Sequence, residues 1–396
     1  MRSFTVDERR ARLARRHFLS GDTTGDVAAV TAAMLGLHAT DPATPHLSLW
    51  ARIAGFTTDD LDRELYERRS VVKHLAMRRT LWLVRADDLV AIQPAASDRV
   101  ADSERRRLVK DVEKAGVAND GNAWLDRACE AVLGFLAENG PAGAADVRAA
   151  LPELHGTYDP APGRRWGGQT PLTPRVFTVL SVRGDIVRGP NDGGWLASRP
   201  RWVTTHDWLR AGPEVMPADK ARAQLVGRWL RTFGPATVAD VKWWFGTPLA
   251  AARQALSDVG AVAVDIDGVA GVALPDDLDT ESDITESDSE PWCALLPGLD
   301  VTTMGWADRE WYVGPYRTSV FDANGNAGPT AWWNGRVVGG WRQDNGGVVH
   351  LQLLEDPGRD GRRALQLRAG ELTDWLDGTR ISPRFPSPLS RAAGAT

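Results

Sequence analysis

The chain has 396 residues, a formal net charge of −5 and two cysteines. At about 100–200 residues per domain, this length predicts two to four domains with well-buried cores. A content of 43% hydrophobic and 25% charged residues excludes a mainly disordered or coiled-coil protein. Cys129 and Cys293 cannot form a disulfide framework, and no Cys/His spacing suggests structural zinc. Without a signal-like N-terminus or an apolar run of about 18 residues, we expect a cytoplasmic protein with no membrane span.

Charge is distributed unevenly along the chain. Residues 276–290 contain eight carboxylates and no basic side chain, and without them the net charge would be +3. The basic residues are 42 Arg and only five Lys, and the planar Arg side chain suits phosphates and base edges. A GC-rich genome would produce the same excess of Arg. Net charge therefore neither predicts nor excludes nucleic-acid binding, and we interpret the acidic segment as a solvated linker.

The N-terminal third predicts three helices and a strand. Residues 27–37 and 45–53 are apolar at helical spacing, and residues 59–77 predict a long amphipathic third helix. A β-strand follows at residues 80–84. Three helices and a strand fit a winged helix, which we assign to residues 1–115.

An internal repeat extends this pattern. Residues 135–147 and 229–241 share the pattern Leu-x-x-x-Gly-Pro-Ala-x-x-Ala-Asp-Val, in which x is any residue. Each copy predicts a helix that ends at the glycine, a proline that stops it and a second helix, which is the helix-turn-helix outline. After the first copy, a third helix follows at 174–180 and two wing strands at 185–188 and 194–197. After the second copy, the third helix is at 248–259 and the wing strands are at 261–264 and 269–274. We assign residues 116–210 and 211–276 to a second and a third winged helix, which pattern alone allows to be DNA-binding modules or a protein-interaction scaffold.

The last third changes to strand periodicity. Two Asn-Gly turns separate three predicted strands of a meander, at 329–333, 336–343 and 348–354. Further strand-like segments lie at 292–296 and 309–320, and residues 364–376 predict a helix. We therefore place an acidic linker at 277–290, a β-domain with a terminal helix at 291–380 and a disordered tail at 381–396. The predicted fold class is α+β: tandem winged helix-turn-helix domains followed by a small antiparallel β-domain.

Several stretches resemble the AlkZ/YcaQ-like winged-helix DNA glycosylase superfamily, namely GLHAT at 36–40, MRRTLW at 77–82, LPGLD at 296–300, ADR at 307–309, GPT at 328–330 and WNGRVVGGW at 333–341. The resemblance covers about residues 8–375. It implies a DNA glycosylase that excises bulky or N7-alkylated purines. The superfamily's catalytic Gln-apolar-Gln or Gln-apolar-Asp motif corresponds to His38-Ala39-Thr40 in this chain.

The variant motif is chemically able to serve a glycosylase. A purine alkylated at N7 is already a good leaving group, so the enzyme must mainly place a water and stabilise an oxocarbenium-like sugar. Side chains at i and i+2 of an extended segment point the same way, so His38 and Thr40 can hold one water between them. Asp41 can stabilise positive charge or fix the tautomer of His38. Alternatively, Thr40, Asp41 or Thr44 caps a helix and His38 is a packed histidine.

Other side chains complete the predicted site. The nearest lysine, Lys73, falls on a predicted helix, so we expect a monofunctional mechanism without a protein nucleophile. Phosphate contacts are expected from the first helix, the first wing and the loop at 155–169, through Arg9, Arg12, Arg16, Arg78, Arg79, Arg164 and Arg165. The first-helix arginines could equally form a solvated face, and the loop a linker whose Trp166 packs on a core. We interpret Asp300 and Arg309 as an ion pair that supports the β-domain.

The sequence thus predicts a monomer that binds double-stranded DNA without cofactor, metal or membrane. Its expected activity is that of a monofunctional DNA glycosylase for N7-type or bulky alkylpurines; the alternative is a noncatalytic winged-helix DNA-binding factor with a decayed site. A cleft shared by His38, Thr40, Arg78 and the loop at 155–169 would favour the enzyme. A buried His38 would favour the binding factor.

Overall fold

The computed structural model describes residues 1–20, 25–165, 167–209, 216–278 and 290–391. The chain forms two compact units. The first combines both ends of the chain, Met1–Leu61 and Arg222–Thr396, and the second is the contiguous segment Asp62–Ala221. Both units contain helices and small, mainly antiparallel sheets, which confirms the predicted α+β class. Among the described residues, no helix has the length and apolar character needed to cross a membrane.

The N-terminal part of the first unit is mainly helical, with helices at Val6–Arg16, Val27–Ala33, Ala43–Trp50 and Thr58–Asp62 and strands at Ser3–Phe4 and Leu37–His38. A capping box begins the first helix: the Thr5 hydroxyl accepts a hydrogen bond from Glu8 N, and the Glu8 carboxylate accepts one from Thr5 N. The Asp26 carboxylate caps the second helix by accepting from Ala29 N. Local cap chemistry therefore sets where these helices begin.

The helix predicted at 248–259 and the wing strands predicted at 261–264 and 269–274 lie close to the observed elements. Helices span Ala218–Phe233, Val238–Phe245 and Leu249–Asp258, and the strands Val262–Ile266 and Val269–Ala273 form an antiparallel hairpin. The sequence did not predict that Ser3–Phe4 adds to this hairpin as a parallel third strand. Phe4 is fully buried there against Val264, Ile266 and Ala273.

An aromatic cluster fills part of the core of the first unit. The Phe233 ring contacts the rings of His17, Trp229, Trp244 and Trp306, at centroid distances of 4.7, 5.3, 6.0 and 5.4 Å. Burial and, to a smaller extent, the nearby Arg52 charge lower the pKa of His17 to about 3. His17 is therefore a neutral member of an apolar core at physiological pH.

The C-terminal part of the first unit contains the predicted meander. Four antiparallel strands follow in the order Cys293–Leu296, Thr330–Trp333, Arg336–Gln343 and Val349–Leu353, and the helix Gly358–Leu376 follows them. Short helices at Glu310–Val313 and Arg317–Val320 replace the strand predicted at 309–320, so that prediction was wrong. The three successive residues Trp311–Val313 are all buried, which alternating strand geometry does not allow on a half-exposed sheet.

Two C-terminal predictions fall partly outside the described residues. Residues 279–289 of the acidic segment and residues 392–396 of the tail are not described. At the start of the acidic segment, Asp277 is buried rather than solvated, because Arg12 and Arg16 both bind its carboxylate. In the predicted disordered tail, Pro388–Arg391 is helical, and Ile381 N donates to the Gln343 side chain.

The second unit contains two hairpins and a group of helices, with helices at Leu89–Ile92, Asp98–Lys114, Gly121–Asn139, Ala144–Ala150, Thr173–Arg183 and Thr205–Leu209. One hairpin joins Val71–Leu75 to Leu81–Arg85, and the other joins Ile186–Asn191 to Pro200–Thr204. The strand Pro200–Thr204 begins six residues after the start of the wing strand predicted at 194–197. Two-residue strands at Thr157–Tyr158 and Thr170–Pro171 pair with each other.

The long helix predicted at 59–77 does not form. Helical structure ends at Glu67, and Arg69 with φ +57° reverses the chain before the strand Val71–Leu75. The adjacent β-branched residues Val71 and Val72, both buried, favour a strand over a helix. As a result, Lys73 lies on a strand rather than on a helix.

Candidate functional site

The His38-Ala39-Thr40 segment follows a tight reversal of the chain. The helix Val27–Ala33 ends through hydrogen bonds from Leu35 N to Ala32 O and from Gly36 N to Thr31 O. Gly36 has φ +118°, a conformation that favours glycine, and the chain continues into the strand Leu37–His38. His38 is only 2% exposed, whereas Thr40 is half-buried. The motif therefore leaves Thr40 partly exposed and buries His38.

Asp41 anchors the end of this segment. Its Oδ1 atom accepts a hydrogen bond from Ala43 N at 3.1 Å, at the start of the helix Ala43–Trp50. Its Oδ2 atom accepts one from Arg384 N at 2.9 Å, and Arg384 Nη1 donates to Thr40 O at 2.8 Å. Asp41 therefore binds the main chain at Ala43 and at Arg384. The helix Ala43–Trp50 is preceded by Pro42 and has no side-chain cap, so the capping alternative is not borne out. Thr44 instead donates to Gly298 O at 2.8 Å.

The arginines of the first helix contact protein groups. Arg12 is 6% exposed and donates to Asp277 Oδ2 at 3.0 Å, and Arg16 binds the same carboxylate. The Arg9 guanidinium lies 4.0 Å from the centroid of the Trp311 ring. Burial lowers the pKa of Arg9 to about 10, although nearby carboxylates partly oppose this shift. These guanidinium groups thus have little surface left for a phosphate.

The other predicted DNA contacts belong to the second unit. Arg78 and Arg79 lie in the short turn Met77–Arg79 between two hairpin strands, with φ +54° and +60°. Arg79 donates to Glu104 Oε2 at 3.1 Å, yet its side chain is 55% exposed. Arg164 and Arg165 are exposed.

The loop that carries Arg164 and Arg165 is closed by main-chain pairing of Thr157–Tyr158 with Thr170–Pro171. Within it, Asp159 Oδ1 accepts hydrogen bonds from Ala161 N at 2.8 Å and Gly168 N at 3.1 Å. The predicted packing of Trp166 lies outside the described residues. The loop therefore presents two basic side chains from a defined backbone.

The predicted pair of Asp300 and Arg309 does not form. Asp300 instead binds Arg52, with Arg52 Nη2 donating to Asp300 Oδ1 at 2.8 Å, and both side chains are fully buried. The Arg309 guanidinium lies over the rings of Trp243 and Phe321, at 4.9 and 4.3 Å. Sequence order suggested the wrong partner because the true one is separated by about 250 residues.

Sequence analysis missed one contributor to the candidate site. Arg384 was placed in a disordered tail, and only the proline- and serine-rich composition of that segment was available to judge it. Within the described residues, no group of three or more His, Cys, Asp or Glu is arranged to hold a metal ion.

Comparison with known proteins identifies the family. The family model described as DNA glycosylase AlkZ-like matches residues 31–375. The solved structure of the Streptomyces sahachiroi DNA glycosylase AlkZ is similar, with a TM-score of 0.72 and 20% sequence identity over 97% of this chain and 100% of that chain. At this identity the likeness shows a shared fold. A search of curated proteins finds no match. Since the family model spans most of its residues, the chain belongs to the AlkZ-like DNA glycosylase family.

Proposed function

We propose that this protein binds double-stranded DNA as a monomer and excises alkylated purines, of the N7 type or bulkier, by hydrolysis of the N-glycosidic bond. The observation that carries the proposal is the match of the DNA glycosylase family to residues 31–375, which include the His38-Ala39-Thr40 segment. The proposed architecture is three winged helices, at 1–115, 116–210 and 211–276, followed by a β-domain at 291–380.

In the proposed mechanism, His38 and Thr40 hold the attacking water. The positive charge on an N7-alkylated purine makes the base a good leaving group, so no general acid is required. The water must instead be held in line with C1′ of the sugar, and positioning of this kind lowers the barrier substantially. Contacts from Asp41 and Arg384 fix the backbone at Thr40, which supports such positioning. The Asp41 carboxylate also supplies negative charge that favours an oxocarbenium-like sugar.

Proposed DNA contacts rest on the exposed basic side chains. Arg79, Arg164 and Arg165 have guanidinium surface that a phosphate can reach, and Arg78 lies beside Arg79 in the same turn. For Arg9, Arg12 and Arg16, a phosphate contact would have to compete with a tryptophan ring or a buried carboxylate. We therefore expect the latter three to contribute less to affinity.

A second function is favoured by one observation. His38 is 2% exposed, so the imidazole lies below the surface that a nucleotide would first meet. This burial fits a noncatalytic DNA-binding factor in which His38 is a packed residue. The two functions make opposite predictions for base release and the same prediction for salt-sensitive DNA binding.

The test measures base release and binding separately. A duplex with one N7-methylguanine is incubated with wild type, with His38→Ala and with the control His350→Ala, and is then cleaved at abasic sites with hot alkali. His350 is half-exposed and binds Asp344, far along the chain from the motif. We expect His38→Ala to lose about 10²–10³-fold of the release rate, as loss of a positioned proton acceptor does, while His350→Ala stays at the wild-type rate.

Binding to the same duplex is measured over a range of salt concentrations. Retained binding by His38→Ala would assign His38 to the chemical step. Release by wild type and His38→Ala at equal rates would contradict the role of His38. Absence of release above the enzyme-free rate for both N7-methylguanine and a bulky adduct, with binding intact, would favour the noncatalytic factor.

A further inference from the structure

The terminal segment, residues 381–391, packs closely on the meander of the first unit. At its start, Ile381 N donates a hydrogen bond to Gln343 Oε1 at 2.7 Å. Further along, Ser387 is 1% exposed and lies against Gly328. A side chain at Gly328 would collide with Ser387, so the glycine permits this close approach. The terminal segment therefore has a defined position on the β-domain.

A small pocket lies between the terminal segment and the meander. It measures about 210 Å³, which is below the roughly 300–1,000 Å³ of sites for drug-sized ligands. Pro383 and Pro386 of the terminal segment form apolar parts of its wall. Arg342, near the end of the strand Arg336–Gln343, and Asn345 contribute polar groups. A pocket of this size suits one small polar or charged group rather than a whole nucleotide.

The pocket carries a positive charge that the protein does not neutralise. Among the described residues that line it, Arg342 is the only charged one. Its side chain is half-buried and has neither a hydrogen bond nor an ion pair within the described part of the chain. The Arg342 Nε atom is buried without an acceptor, which is unfavourable unless a ligand supplies one. The neighbouring Asp344 does not line the pocket, and its carboxylate binds His350 at 2.7 Å.

The chemistry of the pocket fits a phosphate group. A guanidinium presents its N–H groups in a planar fork that matches two oxygens of a phosphate. The exposed Asn345 amide can donate a further hydrogen bond to the same anion. With no carboxylate among the described lining residues, the pocket does not repel an anion.

The terminal segment also links the pocket to the His38-Ala39-Thr40 segment. Pro383 lines the pocket, and the next residue, Arg384, donates through Nη1 to Thr40 O at 2.8 Å. The pocket wall and the contact with Thr40 are thus one residue apart, and consecutive Cα atoms lie about 3.8 Å apart. A nucleotide whose sugar lies at the motif has its phosphates attached to that same sugar, so a phosphate comes close to this wall.

We propose that the pocket binds a phosphate of the DNA backbone beside the damaged nucleotide, through the guanidinium of Arg342. The inference rests on the proposed function in that the damaged nucleotide lies at the His38-Ala39-Thr40 segment. It adds a DNA contact from the first unit to those proposed for Arg79, Arg164 and Arg165. A free phosphate anion has the same chemistry, and the test separates the two sources.

The test measures binding of the full chain to duplexes that carry one stable abasic-site analogue, so it does not depend on base release. In a series of these duplexes, a neutral methylphosphonate replaces one phosphate at a time on either side of the analogue. Wild type is compared with Arg342→Gln, which removes the charge, and with Arg342→Lys, which keeps it. The matched control is Arg363→Gln. Arg363 is exposed on the helix Gly358–Leu376, and its guanidinium likewise has no partner among the described residues.

We expect Arg342→Gln to bind the unmodified duplex about tenfold more weakly than wild type, as loss of a hydrogen bond to a charged group does. Arg342→Lys should regain part of this affinity. A methylphosphonate at one or two positions should weaken wild type by a similar factor and leave Arg342→Gln unaffected at those positions. Arg363→Gln should keep the wild-type profile. The same profile in wild type and Arg342→Gln would overturn the proposal, and so would an equal loss of affinity in Arg363→Gln.

Inorganic phosphate separates a DNA site from a site for the free anion. Thermal unfolding of wild type and Arg342→Gln is measured in sodium phosphate and in sodium chloride at equal pH and ionic strength. Stabilisation by phosphate that Arg342→Gln loses, without any difference between the two proteins in the methylphosphonate series, would assign the pocket to free phosphate and overturn its role in DNA binding.

Protection from chemical modification needs no variant. Wild type is treated with phenylglyoxal, which modifies accessible arginines, with and without the abasic-analogue duplex, and the modified peptides are identified by mass. We expect the duplex to slow modification of Arg342 and not that of Arg363. Equal rates at Arg342 with and without DNA would contradict the proposal, so misfolding of Arg342→Gln would not prevent a decision.

Failure of this inference is distinguishable from failure of the proposed function. A methylphosphonate effect that depends on Arg342, without release of N7-methylguanine, would retain the phosphate site and contradict the glycosylase. Release of N7-methylguanine without such an effect would retain the glycosylase and contradict the phosphate site.

Discussion

Substitution of Arg52 by Met tests the buried ion pair that supports the first unit. Arg52 and Asp300 are joined by two hydrogen bonds, from Nη1 to Oδ2 at 2.9 Å and from Nη2 to Oδ1 at 2.8 Å. Arg52 also donates to His17 O, Ser48 O and the Thr302 hydroxyl, at 3.1, 2.8 and 2.8 Å. Both charged side chains have no exposed surface. Arg52→Met keeps a similar length and removes all five hydrogen bonds.

The expected loss in the free energy of unfolding follows from the Asp300 charge, which remains buried after Arg52 is replaced. Removal of one partner from a buried ion pair costs about 3–5 kcal/mol, because the other charge stays buried without compensation. Asp300 would retain only the hydrogen bonds from the Ser48 hydroxyl and from Thr302 N. We expect the free energy of unfolding of the first unit to fall by about 3–5 kcal/mol, a large part of the roughly 5–15 kcal/mol of an ordinary domain.

The pH dependence of this loss has a definite sign. Burial alone would raise the pKa of Asp300, but the Arg52 charge and the hydrogen bonds from Arg52, Ser48 and Thr302 lower it below its usual range. In wild type this carboxylate therefore stabilises the fold above its unfolded pKa, near 3.9, and less as pH falls through the folded pKa. In Arg52→Met, Asp300 stays buried, which raises its pKa, but the Arg52 charge that lowered this pKa is gone. The variant can then relieve its buried charge by protonation, so its deficit should be smaller at pH 5 than at pH 7.5.

The assay is urea unfolding followed by tryptophan fluorescence, at both pH values. The control is Arg359→Met, which removes a side chain 94% exposed and paired with exposed Asp360, and its midpoint should equal that of wild type. A deficit below about 1 kcal/mol in Arg52→Met, or one equal at pH 5 and pH 7.5, would refute the assigned burial and pairing.

Two further predictions concern buried side chains. Asp277→Asn removes the carboxylate that separates two like-charged guanidinium groups, Arg12 and Arg16, so we expect a loss of about 2–3 kcal/mol in thermal unfolding; an unchanged midpoint would contradict this. Burial raises the pKa of the Cys129 thiol to about 11, so it should resist an aromatic disulfide reagent at pH 8 until the protein unfolds. Fast reaction of folded Cys129, mapped by peptide mass, would show that this thiol is not buried.

Elements set by local chemistry could be predicted from the sequence. Asn334 and Gly335 adopt φ +46° and +78° in the turn between two meander strands, the conformation that makes Asn-Gly a hairpin signal. Thr237 begins the helix Val238–Phe245 through a capping box with Asp240. In such cases neighbouring residues contain the whole cause of the element, so it could be located from the sequence.

Elements and contacts set by distant residues could not be predicted in this way. Residues 69–75 fit a helical period. Residues 71–75 nevertheless form a strand, because they pair with residues 81–85 and include β-branched side chains. Likewise, the position of the His38 motif could be found, but not the contact of Arg384 with Asp41, since no local signal joins residues 343 positions apart. Burial of His38 stayed one of two open alternatives in the sequence, because it depends on packing rather than on the motif.

The division of the chain between its units has a consequence for synthesis. Ser3–Phe4 pairs with Val262–Ile266, so the N-terminal segment cannot bury Phe4 until the ribosome has translated far beyond the second unit. Asp62–Ala221, by contrast, is continuous and emerges as one piece. Domains generally fold in the order in which they are completed. The contiguous segment Asp62–Ala221 therefore has its full set of internal contacts available first, whereas Ser3–Phe4 must wait for strand partners that are synthesised after it.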